Sequence, residues 1–171
     1  MNDVNLQDWV GRTEELQDYV YPTPAQAFAL TLDDRDFKAN KDDTLPELWH
    51  WLYFLPLVAR AEIGSDGHPK RGGFLPPVAL ERRMWASGQL TFHQDLWIGE
   101  KISKTSKILK ISEKEGKTGR MVFVTVRHSI HSARGIAIEE VQDIVYLPMP
   151  KTFVPAAPNP IPEALQWKEV Y

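Results

Sequence analysis

From Gly88 to Leu147 apolar and polar residues alternate in long runs separated by turn-forming clusters. Side chains of a strand alternate between two faces, so runs of this kind fit strands and not helices. In the first run Leu90, Phe92, Leu96 and Ile98 are expected to share a face. Glu100–Ser112 is a second, more polar run, and Glu113–Gly119 a turn. In Arg120–His131, Val122, Val124, Val126, His128 and Ile130 share one face, with Met121 and Phe123 on the other. "SARG" turns the chain into Ile136–Pro148. The pattern predicts an antiparallel meander of four long strands, which must curve and twist.

The N-terminal half is less regular. In "YPTPAQAFALTLD", Thr23 suits a helix N-cap and Pro24 the first helical position. A short helix over Ala25–Leu32 is expected, with Phe28 and Leu32 on its apolar face. Asp33–Thr44 is polar and reads as a surface loop. Leu48–Ala59, "LWHWLYFLPLVA", fits a buried strand or a short buried helix, and periodicity does not separate the two. Glu62–Pro77 is rich in glycine and proline and reads as a long loop, a type that is usually functional or mobile. Leu80–Ala86 is expected to form one or two helical turns. An α+β domain results, and the exposed edges of its sheet favour sheet-to-sheet pairing.

Composition removes several functions. The 171 residues suit one domain. A net charge of -3 gives no reason to propose nucleic acid or an anionic membrane as partner. With no cysteine, disulfides, thiolate metal sites and a cysteine nucleophile are excluded. The first residues lack a signal-peptide pattern, no apolar run reaches the roughly 20 residues of a membrane span, and a cytoplasmic protein is expected. The six tryptophans suit an oligomer or a ligand tunnel as well as a plain core. Six of the thirteen prolines fall in Pro148–Pro162, an extended linker followed by only nine residues.

The blocks "LPELWHWLYFLP", "GSDGHPKRGGFLPP", "RRMWASGQLTFHQDLWIGEKI" and "EGKTGRMVFVTVRHSIHSARGIAIEEVQDIVY" together resemble the N-terminal hotdog domain of the MaoC-like hydratases. That group includes hydroxyacyl-thioester dehydratase type 2 and the mesaconyl-CoA hydratases. The resemblance runs from Trp9 to Tyr146. It implies a hotdog fold, a long curved antiparallel sheet wrapped around a helix, pairing edge to edge with a second hotdog unit. It divides the chain into a hotdog domain over 1–147 and a linker or C-terminal tail over 148–171. In such proteins this domain is degenerate, and a second hotdog unit carries an Asp and a His that work on the acyl thioester. That family signature places His five residues after Asp, and no Asp–His pair here has the spacing. No catalytic residue is therefore assigned.

The resemblance implies a non-catalytic half of an acyl-CoA hydratase or dehydratase, as a homodimer or beside a catalytic hotdog subunit. Coenzyme A enters as part of the substrate, and no other cofactor is implied. Two alternatives stay open: a self-sufficient thioesterase using Glu47, Glu62 or Asp66, and an acyl-CoA binding module without chemistry. Candidate substrate contacts are His50 and Trp49, in the most apolar segment. Lys70, Arg71, Gly72 and Gly73 join them, because two cations and glycine-freed amides suit a phosphate. That loop lacks the strand-before, helix-after context of a strong phosphate motif, so a plain surface loop stays open. Arg82, Arg83 and Trp85, expected just before the first long strand, are candidates for a subunit or domain junction. His93 and Asp95 read as a solvated sheet face. His128 and His131, three apart on a strand, face opposite sides and cannot share a metal.

Overall fold

The structure is a computed structural model and describes residues 4–116 and 119–150. The chain enters through a 3-10 turn, Leu6–Trp9, and a strand, β1 (Thr13–Tyr19). One helix, α1 (Pro22–Thr31), follows. Two more 3-10 turns, Trp49–Leu52 and Arg60–Glu62, precede β2 (Arg82–Phe92), β3 (Lys101–Gly116), β4 (Gly119–Ser132) and β5 (Gly135–Leu147). All five strands form one antiparallel sheet in the order β1-β3-β4-β5-β2. No helix of the described residues is long and apolar enough to cross a membrane.

A strand of 16 residues such as β3 spans about 53 Å, too long to stay flat over one core. Register shifts at Trp85/Ser87, Ile108/Lys110 and Ile130/His131 bend the ladder. The inner face carries two apolar clusters. One gathers Val20, Leu45, Tyr53, Phe54, Leu96, Ile98, Ile102, Ile130 and Ile138 around Ala25 of α1. The other gathers Val78, Ile108, Ile111, Val122, Val124, Val126, Ile144 and Tyr146. Full burial of each large aliphatic side chain stabilises by roughly 1.5–3 kcal/mol, so the sheet is anchored at both ends.

Several expectations change. Thr23 does not cap α1: the helix begins at Pro22 after an extended Tyr21, with no side-chain cap bond. Pro22 and Pro24 have no N–H, which removes two of the groups a cap would serve. The buried face of α1 is Ala25 and Ala29, while Leu32 is exposed. Leu48–Ala59 is neither strand nor α-helix. Leu48 (φ 71) and Phe54 (φ 57) take left-handed conformations that confine regular structure to one 3-10 turn. Phe54 is held there by its amide donating to Asp18 Oδ2 at 2.8 Å, and Tyr53 by its hydroxyl donating to Tyr21 O at 2.7 Å.

Leu80–Ala86 contains no helical turn. Pairing with β5 draws Arg82 onward into β2, so Arg82, Arg83 and Trp85 lie within the strand rather than before it. The strand ends at Phe92, and Leu96 and Ile98 are buried from the connection beyond it. β3 runs to Gly116 and β4 starts at Gly119, so most of the expected Glu113–Gly119 turn is strand. The strands are not a four-strand meander in sequence order. β3, β4 and β5 are neighbours, but β2 crosses to the far side of β5. Of the expected linker over 148–171, residues 151–171 lie outside the described residues.

Candidate functional site

A row of polar residues separates the two apolar clusters. The ladder sets Ser106 of β3 opposite His128 of β4, and His128 opposite Glu140 of β5. Ser106 Oγ and His128 Nδ1 are 2.8 Å apart. The turn at Trp49–Leu52 brings two further groups to Glu140. Trp51 Nε1 donates to Glu140 Oε2 at 3.1 Å, and His50 Nε2 faces the same oxygen at 3.8 Å, beyond hydrogen-bond length. Both nitrogens of the buried His50 ring lack a hydrogen-bond partner among the described residues.

Burial pushes the Glu140 carboxyl up, but His50 and Trp51 outweigh it and hold the group below its usual range. Burial pushes His128 down, with Glu140 opposing. Burial also lowers Lys104, on the same face, against Glu14, Glu140 and Asp18. Its ammonium lies 5.0 Å from the centre of the Phe54 ring. The space that His50 borders with Glu47, Phe92 and Gln94 measures about 20 Å³, enough for one water.

A much larger cavity, about 640 Å³, lies between the clusters. Leu16 and Phe54, which belong with the first cluster, face Phe74 and Leu75, which pack on the second. Leu55, Leu57 and Val58 form an exposed apolar lip, and Leu57 is 95% exposed. Glu14 and Asp18 lie at the β1 side; Lys70, Arg71 and Arg83 also line the wall. Asp18 is occupied, accepting from the amides of Tyr19 and Phe54. No histidine lines this cavity.

The candidate residues do not converge on one site. Trp49 packs on Phe28 and Phe37, at 5.1 and 4.9 Å between ring centres, and belongs to the support of α1. His50 is interior and faces Glu140. Lys70 is exposed at the cavity wall. Arg71 turns back into the fold: Nη1 donates to Val78 O and Leu80 O, and Nη2 to Glu81 O. Its guanidinium also sits 5.2 Å from the centre of the Tyr146 ring. The Gly72 amide donates to Leu75 O, and Gly73 O accepts from Trp9 and Arg12. The glycines thus shape the loop. Only Gly72, at φ 97, needs the residue's freedom.

Alternation sets Arg82 on one face of β2 and Arg83 with Trp85 on the other. Arg82 Nη2 contacts Met84 Sδ at 3.2 Å on the outer side. Trp85 is 56% exposed, donates to Ser87 O and meets Trp51 edge to face. Arg83 lies inward opposite Tyr146 and reaches Asp66 Oδ2 at 3.2 Å. Glu140 went unassigned in the sequence, although alternation along Ile138, Gln142, Ile144 and Tyr146 places it inward.

A protein-family comparison matches residues 48–170 to hydroxyacyl-thioester dehydratase type 2. The chain belongs to that family. Over 171 residues it is 39% identical to the mesaconyl-C(4)-CoA hydratase of Chloroflexus aurantiacus. That alignment covers all of this chain and 59% of the relative, so the chain spans less than two thirds of the curated protein it matches. Among solved structures, the ChsH1–ChsH2 complex of Mycobacterium tuberculosis contains a similar chain. Its TM-score is 0.58 at 14% identity, over 80% of this chain and 88% of that one. The HadBC (3R)-hydroxyacyl-ACP dehydratase complex of the same organism gives 0.53 at 13% identity, over 82% and 99%. At such identities the likeness is one of fold. This dehydratase-family chain has the hotdog fold that its sequence resemblance implied: one curved five-strand antiparallel sheet with one helix.

Proposed function

We propose that this chain is the wall-forming, non-catalytic half of an acyl-CoA hydratase or dehydratase. The reaction is reversible addition of water across the 2,3 double bond of an acyl thioester. One group takes a proton from water as oxygen bonds to C3, and another delivers a proton to C2. These groups belong to a second hotdog unit, carried as a separate subunit or a further domain. Residues 1–147 form the wall unit, and 148–171 are a linker or C-terminal tail. The ligand is an acyl-CoA thioester, with Lys70 meeting a phosphate of coenzyme A at the rim. The outer edge of β2, with Arg82 and Trp85, is the junction to the second unit.

One observation carries this reading. The cavity large enough for an acyl chain has no histidine in its lining, and the buried Glu140 with the imidazoles of His50 and His128 lies outside that lining. Wall and proton-transfer groups are therefore separated in this unit. Of the carboxylates open to the thioesterase reading, Asp66 is engaged by the His68 amide, Arg71 and Arg83, while Glu47 borders the small space beside His50. The test is hydration of crotonyl-CoA, followed by loss of the enoyl thioester absorbance. The purified chain alone is expected to give no turnover, and turnover should appear with a catalytic hotdog partner. Robust hydration by the chain alone overturns the proposal, and release of free thiol would favour the thioesterase.

A further inference from the structure

His50 is the buried imidazole whose bonding the fold leaves open. It is 3% exposed, and neither ring nitrogen has a hydrogen-bond partner among the described residues. A neutral imidazole carries one donor and one acceptor, and buried polar groups in native structures are normally bonded. Glu140 does not serve: its Oε2 stands 3.8 Å from Nε2 and already accepts from Trp51. The ring instead borders an internal space of about 20 Å³. Roughly 10–15 Å³ is enough for one water, given two or more polar partners. Such partners stand in the same lining. Glu47 and Asp95 bring carboxylates, and Gln94 brings an amide. Gln94 Nε2 donates to Ile136 O at 2.7 Å and Oε1 accepts from Arg134, which fixes the side chain, and each end can make one further bond.

We infer that this space is a binding site for a single water molecule, held by the His50 ring and by side chains of the β2–β3 connection. The water joins two segments far apart in sequence, the turn Trp49–Leu52 and the residues that follow Phe92. That turn delivers Trp51 to Glu140, so a water on His50 steadies the arm that holds the buried acid. The bridge costs little, because a well-bonded internal water is nearly as good as a direct hydrogen bond. The site is not sealed. Glu47, Phe92, Gln94 and Asp95 also line a solvent-open groove of about 430 Å³, so the two spaces adjoin. The water therefore exchanges with bulk solvent while the sheet stays folded. The site is independent of the acyl cavity, whose lining contains no histidine.

A crystal structure of the wild-type chain, at a resolution that shows ordered water, is the direct test. One water peak is expected in the space, about 2.7–3.2 Å from a His50 ring nitrogen and within the same range of a second polar group. A dry space in a map that shows other waters, or a ring bonded directly to Glu140, overturns the inference. Magnetic relaxation dispersion of the water signal reads the site in solution by counting long-lived internal waters. His50→Phe keeps a flat ring, removes both nitrogens and should lose one such water. His50→Gln keeps a donor and an acceptor and should retain it. Equal counts for the wild-type chain and His50→Phe overturn the inference. Unfolding curves show that each variant is folded before its waters are counted, and the wild-type map decides the matter if His50→Phe is not.

Discussion

Replacing Arg71 with Met decides whether that residue holds a ligand or holds the fold. Methionine keeps an unbranched stem of similar reach and removes the guanidinium. Three acceptors lose a charged donor: the carbonyls of Val78, Leu80 and Glu81. They are not equivalent. Val78 is 4% exposed, so its carbonyl is left stranded at about 1–3 kcal/mol. Leu80 is half-buried and Glu81 exposed, so water replaces much of what they lose. Stacking on Tyr146 adds about 0.5–1 kcal/mol, and the pair with Asp66 at 3.6 Å adds little. The expected loss is about 2–4 kcal/mol. In a chain of this size about 3 kcal/mol lowers Tm by roughly 6–12 °C. Urea unfolding followed by tryptophan fluorescence measures it, with coenzyme A titration on the same samples. Lys70→Met is the control: little change in stability, and weaker coenzyme A binding. A loss below about 0.5 kcal/mol in Arg71→Met, combined with weakened coenzyme A binding, would refute the structural assignment and return Arg71 to the ligand.

His128 makes stability fall in acid. Burial holds its pKa below 6.5, so the native ring stays neutral where the unfolded one binds a proton. Stability is full above about 6.5 and declines as pH drops below it, by at most about 1.4 kcal/mol per pH unit for one proton. Glu140, also held low, adds a loss of the same sign only below about 4.5. His128→Gln should flatten the decline between pH 6.5 and 5 in urea midpoints, and an unchanged slope would remove His128 as its source. Tyr146→Phe deletes a buried hydroxyl with no partner among the described residues and should leave stability unchanged or raise it by up to about 1 kcal/mol. A loss above about 1.5 kcal/mol would show that the hydroxyl is bonded. Leu57→Asp, at a position 95% exposed, should shift stability by less than about 0.5 kcal/mol yet weaken binding of butyryl-pantetheine. Unaltered binding would take the lip out of the pocket.

The sheet was legible because its signal is local. Val122, Val124 and Val126 repeat every second residue and become the buried face of β4. What failed depended on partners remote in sequence. Arg82–Ala86 looks helix-compatible alone and becomes strand because β5 offers a free edge. The left-handed Leu48 and Phe54 could not be anticipated, since bulky residues rarely take that conformation and the Asp18 bond that holds Phe54 spans 36 residues. Arg71 was read as a phosphate ligand on its charge, yet its acceptors are backbone carbonyls, which every residue has and no sequence pattern marks. Glu140 is the opposite case. Its parity with Ile138 and Ile144 placed it inward, and the preceding Glu139 concealed that one of two adjacent acids had to be buried.

That buried acid also explains why this unit fits a wall better than a reaction centre. A general base needs a carboxylate with room for substrate and a pKa near the working pH. Glu140 has neither: Trp51 occupies Oε2, His50 stands 3.8 Å away, the carboxyl is held low, and the group lies outside the lining of the large cavity. The same contacts give it a structural task. With Ser106 and His128 it forms a polar seam between two apolar clusters, and the large cavity lies between those clusters. The polar row is thus a structural seam within the sheet, and Ser106, His128 and Glu140 lie outside the lining of that cavity.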